Sequence, residues 1–284
     1  MKSAIHKIFR SLTPPILLRL ISFYRQKKEF LGEYESYEKA LNLGGSYNND
    51  NIVNMVSQKT SILKKSTDKI IRDRLTLQNL FVIQNVLFDL NNRAKLDIVD
   101  VGGACGKYYI QVSKFFSHII NRWIVVETSK MAKEGNKKFS DKHLQFVDDF
   151  DKALVKVQYR DLCIAQGVIQ CLPRPINYLE KILNSGFKYI YISRLPLGAN
   201  ISKPVIYVQV SSLLEHGPGT STNNVVDKIV HYPTTILPEK KFLKMLSTNG
   251  YKIRYQFDEK EYPNLNFRDK QVLIKTIGIL LKHN

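Results

Sequence analysis

The chain has 284 residues, of which 44% are hydrophobic and 11% aromatic, a composition that excludes a disordered protein and permits a sizeable core. Lys and Arg number 43 against 25 Asp and Glu, a net charge of +18. The charge suits an anionic partner such as nucleic acid, a membrane surface or a phosphorylated substrate. A lysine-rich solvated surface explains it equally well. The 3 cysteines are too few for a disulfide framework, and no Cys/His cluster has the spacing of a metal site.

The first 30 residues form a basic segment with seven Lys/Arg and one Glu. Its apolar stretch, Pro15 to Phe23, is interrupted by Arg19 and is shorter than the roughly 20 residues of a membrane span. It also lacks the small-residue cleavage site of a signal peptide. We therefore expect a cytoplasmic protein. The basic segment could contact anionic lipid at the inner membrane face, or form a loosely packed helical arm.

Residues 1–95 are predicted to form a helical extension. Apolar residues recur at helical spacing over 51–63 and again over 68–88. A Gly44-Gly45 turn lies before the first of these stretches.

From residue 96 to the end at 284, short apolar strands alternate with helical stretches. The predicted strands are 96–100, 122–127, 144–147, 162–166 and 189–194, and the predicted helices are 107–116, 129–139 and 175–184. This alternation predicts parallel βαβ units in an open sheet with helices on both faces. An insertion around 197–237 follows, then a helix over 241–248 and two closing strands over 251–257 and 271–280.

A glycine-rich turn, Asp100-Val-Gly-Gly-Ala-Cys-Gly106, connects the first strand to its helix, and Glu127 ends the second strand. An acid at this place binds ribose hydroxyls in nucleotide sites. Two chemistries share this layout, namely dinucleotide redox enzymes and S-adenosylmethionine methyltransferases. The turn lacks the G-x-G-x-x-G spacing of dinucleotide sites, and the charge of Asp100 suits a sulfonium and an amino-acid head group better than a pyrophosphate. Alternatively, the segment is an ordinary tight turn that binds no ligand, and Glu127 is exposed to solvent.

Motifs spread along the chain resemble a family of proposed methyltransferases encoded beside lipopolysaccharide and O-antigen genes. The resembling segments are Phe30 to Ala40, with Tyr37 in place of a tryptophan; Ser46-Tyr47 and Asn51-Ile52; the turn from Asp100 to Gly106; Gly167 to Pro173; Ser193-Arg-Leu-Pro196; Val208-Gln209; and Tyr232-Pro233. Ser193 stands where the family has an acid, which puts a general-base role there in doubt.

The resemblance implies a Rossmann-like class I methyltransferase fold, an α/β architecture with a mostly parallel seven-stranded sheet and helices on both faces. It implies S-adenosyl-L-methionine as the methyl donor and leaves the acceptor open. We assign no metal. The expected cofactor-binding residues are Asp100, Gly102, Gly103 and Gly106 for the methionine end, Glu127 for the ribose, Thr128 beside the adenosine, Asp148 or Asp149 for the adenine, and Gln166 and Gly167 around the sulfonium.

On the acceptor side, a base is useful because a sugar hydroxyl has a high pKa. His231 in the insertion is the first candidate and His216 the second, although each could be an ordinary loop histidine. Arg194 could clamp a phosphate or carboxylate of the acceptor, or could form a structural ion pair.

Three functions remain open from the sequence. The first is O-methylation of a sugar or other small anionic acceptor, nucleotide- or lipid-linked, in surface polysaccharide biosynthesis. The second is methylation of nucleic acid, which the charge also permits. Many enzymes that methylate base amino groups have an Asn-Pro-Pro-aromatic motif after the fourth strand. This chain has Gln166-Gly-Val-Ile there, which argues against that subgroup only. The third is a non-catalytic S-adenosylmethionine-binding or scaffold protein with a decayed site, which the intact Asp100 and Glu127 oppose.

Overall fold

The computed structural model describes residues 30–66, 73–90, 94–218, 227–259, 264–267 and 270–284. The basic segment for which membrane contact is predicted lies outside the described residues. Within them, no helix has both the length and the apolar character needed to cross a bilayer.

Strands and helices alternate through most of the described chain. The helices are α1 (Tyr37–Gly44), α2 (Asp50–Lys65), α3 (Arg74–Asp89), α4 (Lys107–Phe116), α5 (Ser129–Lys138), α6 (Phe150–Lys156), α7 (Pro175–Leu183) and α8 (Glu239–Thr248). The strands are β1 (Phe30–Tyr34), β2 (Leu96–Val101), β3 (Ile120–Val126), β4 (Leu144–Val147), β5 (Leu162–Gln166), β6 (Tyr189–Gly198), β7 (Val205–Ser212), β8 (Ile229–Pro238), β9 (Tyr251–Phe257), β10 (Leu265–Phe267), β11 (Lys270–Val272) and β12 (Ile274–His283).

Side chains at the helix starts explain where several of these helices begin. The side chain of Asn49 accepts a hydrogen bond from the Asn51 amide and caps α2. Asp149 caps α6 in the same way. Pro175 occupies the first turn of α7, where its missing N–H leaves no hydrogen bond unmade.

The central sheet runs in the order β4-β3-β2-β5-β6-β12-β9. Strand β12 is antiparallel to both of its neighbours, and the other six strands share one direction. The structure therefore confirms the predicted α/β fold with a mostly parallel sheet. The seven predicted strands form its central part, and β8, β7 and β1 extend it to ten strands.

Both faces of this sheet are buried, as predicted. In β2, Ile98 packs into one hydrophobic cluster with α2, α3, α4 and α5, while Val99 packs into a second cluster with α6, α7 and α8. Successive side chains of a strand point to opposite faces, so the apolar residues of β2 contribute to both clusters.

Strands β7 and β8 of the insertion, together with β1, form a feature that the sequence did not predict, a three-stranded antiparallel extension. Strand β7 pairs with both β8 and β1, and β8 joins the end of β6 through Leu197 and Gly198. Strand β1 belongs to the region predicted to be helical. Helices α2 and α3 of that region share a core cluster with the sheet; the domain division between 1–95 and 96–284 stays a prediction.

Two predicted strands differ most from the structure in their bounds. The fifth strand was expected to end at Arg194 and continues as β6 to Gly198. The last strand was expected over 271–280, but β11 pairs with β10 in a separate hairpin and β12 starts only at Ile274. Helix α6 was not predicted.

Candidate active-site cleft

A cleft of about 650 Å³ lies at the carboxyl ends of the parallel strands. One group of lining residues directly follows β2 to β5, and another comes from the loop after α1 and from the β7–β8 hairpin. Open α/β sheets bind ligands at this edge, and small-molecule sites typically measure ~300–1,000 Å³. Within the described part of the chain, no cluster of three or more His, Cys, Asp or Glu side chains could hold a metal ion.

The glycine-rich turn packs against protein as well as bordering the cleft. A Cβ at Gly102 would lie 2.5 Å from the Val168 side chain, and one at Gly103 would lie 2.4 Å from Asp100 Oδ2. Both glycines line the cleft. Three residues of the turn have positive φ angles: Gly102 (71°), Ala104 (52°) and Gly106 (79°). Gly106, expected to bind the cofactor, is not among the lining residues; it precedes the first turn of α4.

Asp100 lies beneath the turn and is only 1% exposed. Its Oδ2 accepts a hydrogen bond of 3.1 Å from Trp123 Nε1. Burial raises the pKa of the Asp100 carboxyl from 3.8 to about 7, and the Trp123 hydrogen bond partly opposes this rise. Since Asp100 does not line the cleft, it would act on a ligand across Gly103.

The carboxylate of Glu127 is fixed between the turn and the start of α5. Its Oε1 accepts from the Ala104 amide at 3.0 Å and its Oε2 from the Thr128 amide at 2.9 Å. Burial raises the pKa of Glu127, while these two backbone hydrogen bonds lower it. Each carboxylate oxygen can accept a further hydrogen bond, so the group is positioned to receive ligand hydroxyls in the cleft.

The residues expected beside the adenosine all line the cleft. Thr128 Oγ1 is buried and has no hydrogen-bond partner in the protein. Asp148 forms an ion pair of 2.7 Å with Lys152, and Asp149 accepts hydrogen bonds from the amides of Asp151 and Lys152. Of the three, Thr128 is therefore the residue whose side chain still lacks a partner.

Gln166 lines the cleft, but its side chain is bonded within the protein. Its Oε1 accepts from Asn79 Nδ2 at 2.8 Å, and its Nε2 donates to Ser193 Oγ at 3.3 Å. Ser193, which replaces the acid of the resembling family, thus accepts a hydrogen bond from Gln166. Sequence reasoning missed Asn79 because it lies in α3, far from every motif.

Arg194 reaches the cleft from β6 with an unusual backbone, φ 56°. Its Nη2 donates to the Gln166 carbonyl at 2.9 Å. The guanidinium lies against Gly167, whose φ is 68° and where a Cβ would come within 2.7 Å of Arg194 Nη2. The positive φ therefore favours glycine at position 167, and a side chain there would displace the Arg194 guanidinium.

Three rings form what we call the aromatic wall: Tyr47, His216 and Tyr232. The Tyr47 and Tyr232 ring centroids are 4.7 Å apart, and those of Tyr47 and His216 are 5.5 Å apart. His216 Nε2 is 3.0 Å from Ser211 Oγ. Burial, and secondarily the charge of Lys59, lowers the pKa of His216 to about 4, so its ring is neutral at physiological pH.

The structure does not bring His231, the first sequence candidate for a general base, to the cleft lining. Its neighbour Tyr232 faces the cleft, and adjacent residues of a strand point to opposite faces. Across the hairpin, Tyr232 pairs with the lining residue Gln209, whereas His231 pairs with Val210. His216, the second candidate, is the histidine that lines the cleft. Only the pairing of β7 with β8 shows that His216, and not His231, faces the cleft.

Neither the protein-family models nor the curated proteins include a match to this chain. Similar solved structures include an S-adenosylmethionine-dependent methyltransferase from Clostridium acetobutylicum, 11% identical, covering 80% of this chain and 98% of its own, with a TM-score of 0.45. The CcbJ methyltransferase from Streptomyces caelestis is 7% identical and covers 83% of this chain and 99% of its own, with a TM-score of 0.47. CalS10, an amino pentose methyltransferase from Micromonospora echinaspora, is 7% identical and covers 80% and 96%, with a TM-score of 0.43.

Proposed function

We propose that this protein is a methyltransferase that uses S-adenosyl-L-methionine. The observation that carries the proposal is Glu127, whose two oxygens are held by backbone amides of the turn and of α5. A carboxylate in this place binds the ribose of nucleotide-type ligands. The spacing of the turn and the buried acid beneath Gly103 favour a sulfonium-bearing ligand over a dinucleotide.

The residues present fit such a cofactor. Thr128 Oγ1 is a buried hydroxyl without a partner beside Glu127, so a nucleoside would supply the missing hydrogen bond. Asp148 and Asp149 border the same region and suit an adenine amino group. Gly102, Gly103 and Gly167 border the cleft, while Asp100 would favour a positive charge across Gly103.

S-adenosylmethionine carries a methyl group on a positively charged sulfur, which makes that group electrophilic. The protein's part is to align an acceptor lone pair with this group and to remove the acceptor proton. We assign proton removal to His216 in place of His231. Its pKa of about 4 leaves the ring unprotonated at neutral pH, although it also makes His216 a weaker base than an ordinary histidine.

For the acceptor, we propose the hydroxyl of a sugar or other small anionic molecule in surface polysaccharide assembly. The +18 charge supports an anionic acceptor, as does Arg194 in the cleft. The same charge favours RNA as a second candidate. Incubation with methyl-labelled cofactor and either total RNA or polysaccharide precursors separates the two, and label in RNA alone would reverse our ranking.

The cofactor assignment is tested by replacing Glu127 with alanine and measuring affinity for S-adenosylhomocysteine by calorimetry. Loss of charge-assisted hydrogen bonds to the ribose should weaken binding by about tenfold or more. Glu215→Ala is the matched control, because Glu215 borders the same cleft away from the turn and should not change the affinity. Equal affinity of the wild-type protein and Glu127→Ala would remove Glu127 from the site.

A further inference from the structure

Arg194 is the extra residue of a β-bulge. Across the β6–β12 pairing, Ser193 lies opposite Gly278 and Leu195 opposite Ile277, so Arg194 has no partner of its own in the register. Its φ of 56° is left-handed, a conformation that is strained for a residue with a Cβ. Bulges beside binding sites often redirect a side chain, and strained residues cluster at functional sites.

A second backbone distortion makes room for the same side chain. Gln166 and Ser193 are register partners on β5 and β6, and the next residue of each strand, Gly167 and Arg194, has a positive φ. The Arg194 guanidinium occupies the space that a side chain at position 167 would need. The residue that follows the β5–β6 pairing on each strand therefore adopts an uncommon conformation, and together the two residues direct one guanidinium to the cleft.

The charge of this guanidinium acts on the acceptor side of the cleft. It lowers the pKa of Tyr47, Tyr108 and Cys171, in each case against a larger rise caused by burial. Tyr47 and Tyr108 line the cleft, and Tyr47 belongs to the aromatic wall. Arg194 thus lies where an acceptor would meet both the wall and the cofactor.

Gln170 supplies a complementary group beside Arg194. Its Nε2 donates to the Arg194 carbonyl at 3.2 Å. Its Oε1 is buried without a partner, and the residue, 6% exposed, lines the cleft. A buried carbonyl oxygen that lacks a donor is costly, so a ligand group that donates a hydrogen bond there would be bound favourably.

We propose that Arg194 and Gln170 form a subsite for an acceptor that carries a phosphate next to a hydroxyl, that is, a phosphorylated sugar. The planar guanidinium matches phosphate oxygens, and the adjacent hydroxyl donates to Gln170 Oε1. This inference rests on the proposed function and narrows its acceptor class. It makes Arg194 a specificity-determining residue.

The test measures binding to the complex with S-adenosylhomocysteine, first of inorganic phosphate and then of glucose 1-phosphate. Arg194→Asn removes the guanidinium and suits the bulge, because asparagine tolerates left-handed backbone. Loss of charged hydrogen bonds should weaken phosphate binding by about tenfold or more. Arg194→Lys keeps the charge without the fork, so we expect a smaller loss; this variant also serves if Arg194→Asn folds poorly.

Lys107→Gln is the matched control. Lys107 also lines the cleft, but Asp73 neutralises it through an ion pair of 2.7 Å, so its removal should change phosphate affinity by about twofold or less. Gln170→Met should weaken glucose 1-phosphate binding and leave inorganic phosphate binding unchanged.

Phosphate binding that is absent from the wild-type complex, or equal in Arg194→Asn, overturns the subsite. So does glucose 1-phosphate binding that Gln170→Met leaves unchanged. Failure of the proposed function is a different result, in which S-adenosylhomocysteine itself does not bind to the folded wild-type protein.

Discussion

At the scale of single residues, the unusual backbone conformations gather around the cleft. Among the described residues, Ala104 and Arg194 are the non-glycine positions with positive φ. Both line the cleft. Ala104 lies in the turn after β2, and Arg194 follows the part of β6 that pairs with β5. The left-handed Ala104 donates its amide hydrogen bond to Glu127 Oε1. Of the two strained residues, Ala104 therefore helps to hold the Glu127 carboxylate, and Arg194 places its guanidinium at the cleft.

We predict that Ala104→Gly retains or raises stability. A left-handed alanine destabilises the folded state by roughly 1–2 kcal/mol, and glycine removes this strain. The greater freedom of glycine in the unfolded chain opposes the gain by about 0.5–1 kcal/mol. Urea unfolding should give a gain of up to about 1.5 kcal/mol. Gly102→Ala is the opposite control, because it adds a Cβ against Val168 at positive φ and should destabilise. A clear loss of stability in Ala104→Gly would contradict the strain argument.

At the scale of elements, a buried hydrogen bond docks α3 onto the sheet at the cleft. Asn79 is fully buried; its Nδ2 donates to the Leu75 carbonyl in its own helix and to Gln166 Oε1 at the end of β5. The helix therefore holds the Gln166 side chain in place. A residue outside every sequence motif supports one that the sequence assigned to the cofactor site.

We predict that Asn79→Ala lowers the free energy of unfolding by about 1–3 kcal/mol, because it leaves Gln166 Oε1 buried without a donor. Asn85→Ala provides the comparison on the same helix. The Asn85 side chain donates to the Phe81 carbonyl at an exposed position, so its removal should change stability by about 0.5 kcal/mol or less. Equal losses in the two variants would show that the Asn79–Gln166 bond does not dock the helix.

At the scale of the whole molecule, Asp100 links global stability to pH. Its folded pKa of about 7 lies above the ordinary 3.8. Between these values the native state binds more protons than the unfolded state, so the free energy of unfolding falls as pH rises. Below about pH 4 the carboxyl is protonated in both states and this cost is absent.

We predict that Asp100→Asn removes this dependence, since the amide does not ionise and can still accept from Trp123. Relative to the wild type, the variant should gain up to about 4 kcal/mol between about pH 4 and about pH 7. Urea unfolding at several pH values within that window measures the difference. Parallel stability curves for the two proteins would show that Asp100 ionises as readily in the folded state as in the unfolded chain.

Much of the sheet and the cofactor side of the cleft could be predicted from the sequence. Strands β2, β4 and β5 consist mainly of apolar residues and are largely buried, so each is visible as a short apolar segment without a structure. Parallel strands place their carboxyl ends at one edge, which is why the turn at Asp100–Gly106 and Glu127 could be assigned to one site. These features are visible in the local sequence because burial fixes which residues of a strand are apolar, and strand direction fixes which edge of the sheet holds the residues that follow it.

The tertiary structure decided the acceptor side. Tyr47, His216 and Tyr232 meet only because β7 and β8 pair and the loop after α1 packs against them. The pairing register turns Tyr232 toward the cleft and His231 away from it. Likewise, the bulge at Arg194 exists only in the pairing of β6 with β12. Such features depend on register between distant segments, and a one-residue shift in register would reverse every side chain, so no local pattern could specify them.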